Sequence, residues 1–321
     1  MDRATYVNEL HGRFALPPTM IIKVVARATH RKVAGTERLI RGDEYEVHRV
    51  HLDDGSVVYL RAAWPGTTST KVGQEAWAMG QALAAGVPVP EVLAVETVES
   101  PDGERTAMVL REAPGRQLRY VLPTLSAADR TAVLTDLGRT LRTLHEVVMP
   151  GTGRPDDHGR WLDPEPDRRR YVAAVADDTE HLGTAGLSAA EVDRVLTIVH
   201  SDLVPIENPP VLCHGDLSHE HVFVDPELRV AGLIDWGMWN ASSAEADLTL
   251  IGILYPEPDL AAVLAGHGLR DDAGLRDRLR WHTITQAIGQ VRWLVESRQQ
   301  GELAKPVAVI REALSMITGR W

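Results

Sequence analysis

The sequence predicts an α+β protein of two lobes, a small β-rich one over residues 1–113 and a larger, mainly helical one over 114–321. Three observations point there. Short β-branched runs joined by Asp-Gly turns crowd the first third. Apolar residues at helical spacing fill most of the remaining two thirds. The 321 residues, 44% hydrophobic and 25% charged, suffice for two buried cores and exclude a mainly disordered chain.

Taken in order, Val47 to Leu52 and Ser56 to Ala62 read as strands joined by the tight turn Asp53-Asp54-Gly55. Lys71 to Ala85 reads as a helix that Gly86 caps and that Pro88 and Pro90 stop. Glu91 to Val98 and Thr106 to Arg111 are two further strands around Pro101-Asp102-Gly103, and Pro114-Gly115 reads as a hinge. Ser126, with Asp129 three residues on, opens a helix whose Val133, Leu134, Leu137, Leu141 and Leu144 recur at helical spacing. Short strands return at 210–213, 221–224 and 230–234, and residues 260–317 are mostly helical.

Charge narrows the functional classes. Asp and Glu number 45 against 34 Lys and Arg, a net charge of −11, which argues against a nucleic-acid partner. The excess lies after residue 113, with 21 basic and 30 acidic side chains there against 13 and 15 before. That field is either solvated surface or an attraction for a cationic substrate. The single cysteine, Cys213, has no partner for an intramolecular disulfide and reads as a packed strand residue. Met20-Ile21-Ile22 stops at Lys23, and no apolar run approaches the roughly 20 residues of a membrane span. A cytoplasmic protein with no membrane partner is the expectation.

The most informative stretch runs from Cys213 to Asp225. In it His214-Gly215-Asp216-Leu217 is followed by His221; beyond it, nineteen residues after Asp216, comes Asp235 within Ile234-Asp235-Trp236-Gly237. Phosphoryl transfer of the kinase type needs few protein groups. One carboxylate accepts a hydrogen bond from the attacking hydroxyl, while a ligand shortly after it and a carboxylate from a later turn hold a divalent cation.

These paired motifs resemble the aminoglycoside phosphotransferase superfamily of small-molecule kinases. The resemblance spans roughly residues 35 to 250 and implies the bilobal protein-kinase-like fold. It makes Asp216 the catalytic carboxylate and Asp235 a ligand of Mg²⁺, with Mn²⁺ as the alternative ion. His221 stands where the family commonly has Asn, as in macrolide 2′-phosphotransferases and aminoglycoside 2″-phosphotransferases, and its imidazole serves as the second metal ligand. Arg61, in Val58-Tyr59-Leu60-Arg61, matches the phosphate-contacting cation that is often Lys, and Glu75 matches the helix residue that holds it. Leu110, Arg111, Glu112 and Ala113 match the inter-lobe hinge whose backbone binds the purine edge. Gly42, in Arg41-Gly42-Asp43-Glu44-Tyr45, is the lone glycine of the phosphate loop. His214 and Asp247 match residues that support the catalytic loop.

The other chemistry-bearing residues read as structure. His219 is a surface histidine, and His214, His219 and His221 lack a zinc-ligand spacing. The pairs Asp156-Asp157 and Asp177-Asp178 are solvated loops. Trp281 and Trp293 are either core or the lining of an acceptor pocket, the latter favouring a large apolar ring. The expected activity is transfer of the γ-phosphoryl of ATP or GTP to a hydroxyl of a cationic antibiotic, a macrolide or an aminoglycoside. A metabolic sugar or amino-alcohol kinase and a non-catalytic nucleotide-binding pseudokinase are the alternatives. The expected state is a monomer or weak dimer.

Overall fold

Strand order, which sequence periodicity leaves open, is set here by hairpins and one insertion. The computed structural model describes residues 3–40, 42, 44–156, 158–161, 179–201, 209–254 and 257–316. Arg41, Asp43, Asp157, Asp177 and Asp178 lie outside them. Contacts divide the chain into two units, one of Ala4–Thr124 and His219–Trp239, the other built from Leu125–Ser218 and Asn240–Trp321. The first unit thus closes at Thr124, beyond the sequence-derived boundary at 113, and takes back a later segment in which strand 222–224 pairs with residues 116–117 and with strand 230–233.

In the first unit, helices α1 (Arg3–Arg13) and α2 (Pro18–Thr29) precede an antiparallel sheet. Its strands are β1 (Val33–Leu39), β2 (Tyr45–Leu52), β3 (Val57–Ala63), β4 (Val92–Ser100) and β5 (Gly103–Arg111), ordered β1-β2-β3-β5-β4. Helix α3 (Ser69–Ala84) follows β3, and the Thr68 side chain caps it by accepting the Lys71 amide. Side chains alternate across β3. Val58, Leu60 and Ala62 enter one core with Ile21, Val24 and Val25 of α2, whereas Arg61 points to the opposite side and meets Glu75 of α3. Helix α2 is not among the elements expected from the sequence, although Pro18 at its first turn and the 21/24/25 spacing are its signals. A small sheet of β6 (Arg116–Gln117), β8 (Val222–Val224) and β9 (Val230–Leu233) completes the unit, with the short helix α4 (Leu118–Val121) after β6. Gly115 makes that pairing sterically feasible. Its φ is +89°, and a Cβ there would run into the Val224 carbonyl.

The second unit holds α5 (Ala127–His145), α6 (Thr179–Thr184), α7 (Ala189–Val199) and β7 (Val211–Cys213). After β10 (Asn240–Ser242) come α8 (Ala244–Leu254), α9 (Glu257–His267), α10 (Ala273–Glu296) and α11 (Ala304–Met316). Ser126 caps α5 by accepting the Asp129 amide, and its hydroxyl donates to the Asp129 carboxylate. Helices α5 and α9 cross closely at glycines. A Cβ on Gly138 would meet the Val263 carbonyl, and one on Gly266 the Thr135 carbonyl. Helix α10 runs through a core of Val195, Ile198, Ile284, Ile288, Val291, Ile310 and Leu314. Among the described residues no helix is long and apolar enough to cross a membrane.

Candidate functional site

In the first unit the site is organised around one guanidinium. Arg61 pairs on β3 with Val47 of β2 and Met108 of β5, so its side chain leaves the sheet at a fixed point. Its Nη1 donates to Glu75 Oε1 at 2.5 Å and its Nη2 to Asp235 Oδ1 at 2.9 Å. The guanidinium lies 4.2 Å from the Tyr45 ring centroid, and the Tyr45 hydroxyl donates to Glu75 Oε2 at 2.5 Å. Burial works against the Arg61 charge, but Glu75 and Asp235 outweigh it and hold the cation firmly protonated. Burial, with Glu75 beside it, also pushes the Tyr45 phenol up, so Tyr45 is a neutral donor. Tyr45 is a site residue that sequence reasoning missed; as the first residue of a strand it carries no motif.

Asp235 follows β9 in a left-handed conformation, φ 65° and ψ 63°, which Asp tolerates better than most residues. A short 3-10 turn over Trp236–Met238 then anchors it, with the buried Trp236 indole donating to the Leu233 carbonyl at 3.0 Å. His221 is tied to the same place by its carbonyl, which accepts the Ile234 amide at 2.9 Å. Its Nε2 stands 3.5 Å from Asp235 Oδ2. One imidazole nitrogen and one carboxylate, 44% exposed, form a donor pair that fits a divalent cation, with more affinity for borderline ions than an all-oxygen set.

Gly42, between β1 and β2, has φ +71°. Two acidic residues come directly after it in sequence, which would oppose a triphosphate. Glu44, however, is paired with Lys71 Nζ at 3.2 Å and packed against Gly237, where a Cβ would collide with its carboxylate. The residues matched to the hinge span the end of β5. Leu110 and Arg111 still pair with Tyr59 and Val58, and the Glu112 carboxylate accepts from Arg49 Nη2 at 3.2 Å and Tyr59 at 3.3 Å. Ala113 is buried against Gly232.

In the second unit, β7 delivers the loop that carries His214, Gly215 and Asp216. Gly215 takes φ +80°, and the buried Asp247, in the first turn of α8, binds the loop backbone. Its Oδ2 accepts the His214 amide and its Oδ1 the Gly215 amide, each at 2.7 Å. His145 Nε2 donates to Asp247 Oδ2 at 3.1 Å, and its Nδ1 shares a hydrogen bond of 2.9 Å with His267 Nε2. Burial opposes the Asp247 charge, yet bonds from His145 and Gly215 hold its carboxyl below the usual range. His267 is held down at about 4 by burial and by His145, so it is neutral. The His214 ring in turn takes the Asp216 amide on Nδ1 at 3.2 Å. Cys213 is buried, its thiol pushed up by desolvation and donating to the Ser243 carbonyl at 3.4 Å; it has no thiolate character. His145 and His267 carry no sequence signal, since nothing local links residues 122 positions apart.

Two candidates move to other places. Trp281 is 3% exposed, inside the α10 core, and its indole donates to the Val199 carbonyl at 3.3 Å. Trp293 packs against the same core. Burial leaves Trp281 no face for an acceptor, whereas Trp293 is half-buried at the edge of that core. His219 is half-buried rather than a surface residue, with its carbonyl accepting the Arg119 amide.

Comparison with known proteins sets this geometry in context. The family model for the phosphotransferase enzyme family (APH) matches residues 38–282. An aminoglycoside 3′-phosphotransferase from Streptomyces ribosidificus is 32% identical over 169 residues, 51% of this chain and 58% of that protein. The match therefore spans little more than half of that relative. The structure of an aminoglycoside phosphotransferase, APH(4)-Ia, in complex with ADP and hygromycin B superposes with a TM-score of 0.69 at 18% identity, covering 94% and 99% of the two chains. A protein assigned as a fructosamine-3-kinase from Thermobifida fusca superposes with the same TM-score, also at 18% identity, over 93% and 100%. At these identities the likeness establishes the fold, the α+β kinase-like one that the sequence predicts.

Proposed function

Because the chain belongs to the phosphotransferase enzyme family, we propose that it moves the γ-phosphoryl of ATP or GTP to a hydroxyl of a small, amine-bearing acceptor. The observation that carries the reading is the Arg61 fork, which ties β3, α3 and the Asp235 turn to one cation. In this reading Arg61 contacts phosphate oxygens, the backbone of Leu110, Arg111, Glu112 and Ala113 takes the purine, and the Gly42 turn covers the phosphates. His221 and Asp235 hold the divalent cation, Mg²⁺ or Mn²⁺, which neutralises phosphate charge when bound. Asp216 accepts a hydrogen bond from the acceptor hydroxyl. As that oxygen bonds to the γ-phosphorus, the bond to the β-γ bridging oxygen breaks, the nucleoside diphosphate leaves, and the hydroxyl proton passes to Asp216. Asp247 and His214 act on the loop, not on substrate.

An amine-bearing acceptor suits the net −9 of residues 114–321, and the S. ribosidificus relative favours an aminoglycoside. The buried Trp281 lends no support to a macrolide. A second reading, a ketoamine acceptor, is favoured by the fructosamine-3-kinase likeness. The test incubates the full chain with ATP or GTP, Mg²⁺ or Mn²⁺, and aminoglycosides, macrolides and ketoamines, and reads products by mass spectrometry. Gain of one phosphoryl group on an amine-bearing acceptor is the expected result. Nucleotide binding without transfer to any of them would make the chain a pseudokinase.

A further inference from the structure

The end of α1 and the segment joining it to α2 are bound to the sheet by several polar contacts. Arg38 Nη2, at the end of β1, donates to the His11 carbonyl at 2.9 Å and the Phe14 carbonyl at 2.8 Å. The Leu16 amide lies 3.1 Å from each oxygen of Glu46, a fully buried carboxylate that also receives Arg105 Nη1 and His48 Nε2 at 2.8 Å. The rings of His11 and Phe14 rest on Trp64, at centroid distances of 5.0 and 6.2 Å. From this anchored segment the His11 side chain, 2% exposed, reaches across 31 residues of sequence to the Gly42 carbonyl, with Nε2 to oxygen 3.0 Å. A carbonyl only accepts, so Nε2 carries the proton. Nδ1 is buried with no partner among the described residues. The one polar function of this imidazole is therefore its bond to the phosphate-loop glycine.

We propose that His11 is a positioning residue for the nucleotide, and that residues 11–16 are a strap that sets the turn before β2. The proposal rests on the kinase reading above, in which that turn covers the phosphates. A carbonyl directed at phosphate oxygens repels them, and a turn with one glycine has little freedom to rotate it away unaided. His11 supplies the constraint by taking the Gly42 carbonyl for itself. The work that a glycine-rich loop would do by flexible wrapping is done here by a fixed hydrogen bond from the N-terminal segment.

The decisive variant is His11→Phe, which keeps an aromatic ring on Trp64 and removes only the donor; His11→Gln restores a donor. Steady-state kinetics of the full chain with Mg²⁺·ATP, and amide exchange over residues 38–48, are the two readouts. His11→Phe should raise the nucleotide KM about 2- to 10-fold, the range for one neutral hydrogen bond, with kcat and acceptor KM within about twofold. His11→Gln should recover most of that loss, and exchange around Gly42 should quicken in His11→Phe while β3 stays protected. Unchanged nucleotide KM, or a fall confined to kcat, would overturn the proposal. Should the wild-type chain transfer nothing, the kinase reading fails by itself. Exchange then decides the strap alone: a turn that quickens in His11→Phe keeps it, and one that does not removes it. If His11→Phe does not fold, His11→Ala takes its place in both measurements.

Discussion

Replacing Asp247 by Asn removes one oxygen and one charge without changing shape, and the structure says what that costs. Three donors converge on two carboxylate oxygens: the Gly215 amide on Oδ1, and the His214 amide with His145 Nε2 on Oδ2. An amide group offers one oxygen. With its nitrogen in the Oδ1 place, it confronts the Gly215 N–H. With its nitrogen in the Oδ2 place, it confronts both the His214 N–H and the His145 Nε2 donor. Either way a charge-assisted bond at 2.7 Å becomes a donor facing a donor, worth about 2–4 kcal/mol against the closed loop. Asp247→Asn should therefore lower kcat at least about tenfold and the melting midpoint by roughly 4 °C or more. Nucleotide affinity, which the proposed function assigns to Arg61, His221 and Asp235, should stay within about twofold. Kinetics, calorimetry and a thermal melt on the same preparation are sufficient. Wild-type kcat with a wild-type melt would refute the argument that this carboxylate shapes the loop.

Four further outcomes are expected at other residues. Asp216→Asn should nearly abolish transfer, measured as product formed, with nucleotide binding close to wild type, because Asn keeps the shape and loses the proton acceptor. Arg61→Lys should raise nucleotide KM about 3- to 10-fold, since an ammonium cannot span Glu75 and Asp235 while lying flat on Tyr45; an unchanged KM removes the fork from the account. His221→Asn should keep partial activity and lose any advantage of Mn²⁺ over Mg²⁺, read from rates in each metal. Burial alone would raise Glu46, but His48, the Leu16 amide and Arg105 bring it from 4.5 to about 2. A depressed carboxylate contributes stability above pH 4.5 and loses it as pH falls toward 2, so Glu46→Gln should cost about 3 kcal/mol at pH 7 in urea melts. The gap to wild type should close below pH 4.5.

Local chemistry was readable in the sequence, and long-range pairing was not. The Asp-Gly turn and β-branched runs located β2 and β3, and a Ser cap with a heptad-like row of leucines located α5, because each signal lies within a few residues of what it specifies. The Asp216 and Asp235 motifs were legible for the same reason. By contrast, α2 hides in a short apolar stretch that reads only as a truncated membrane or export signal. The Glu46–Arg105 pair joins residues 59 apart, and His145–His267 residues 122 apart. Isolated His, Arg and Glu residues are common on any surface, so only the fold distinguishes these. The insertion of β5 between β3 and β4 is of the same kind, since periodicity identifies a strand and says nothing of its neighbours.

The glycine crossing of α5 and α9 gives the molecule a place where mutation and activity meet without any catalytic group. One helix ends in His145, which bonds Asp247, and the other in His267, which bonds His145, and Gly138 sits under the amide of His267 itself. A methyl group at 138 must spread the two helices, and that displacement is delivered directly to an imidazole pair whose bond is 2.9 Å long. In a library of random variants, positions 138 and 266 should therefore score with the proposed catalytic and metal-binding aspartates, losing function at growth temperature before they lose solubility. A search for inactivating alleles that looked only at the motif residues would pass over both.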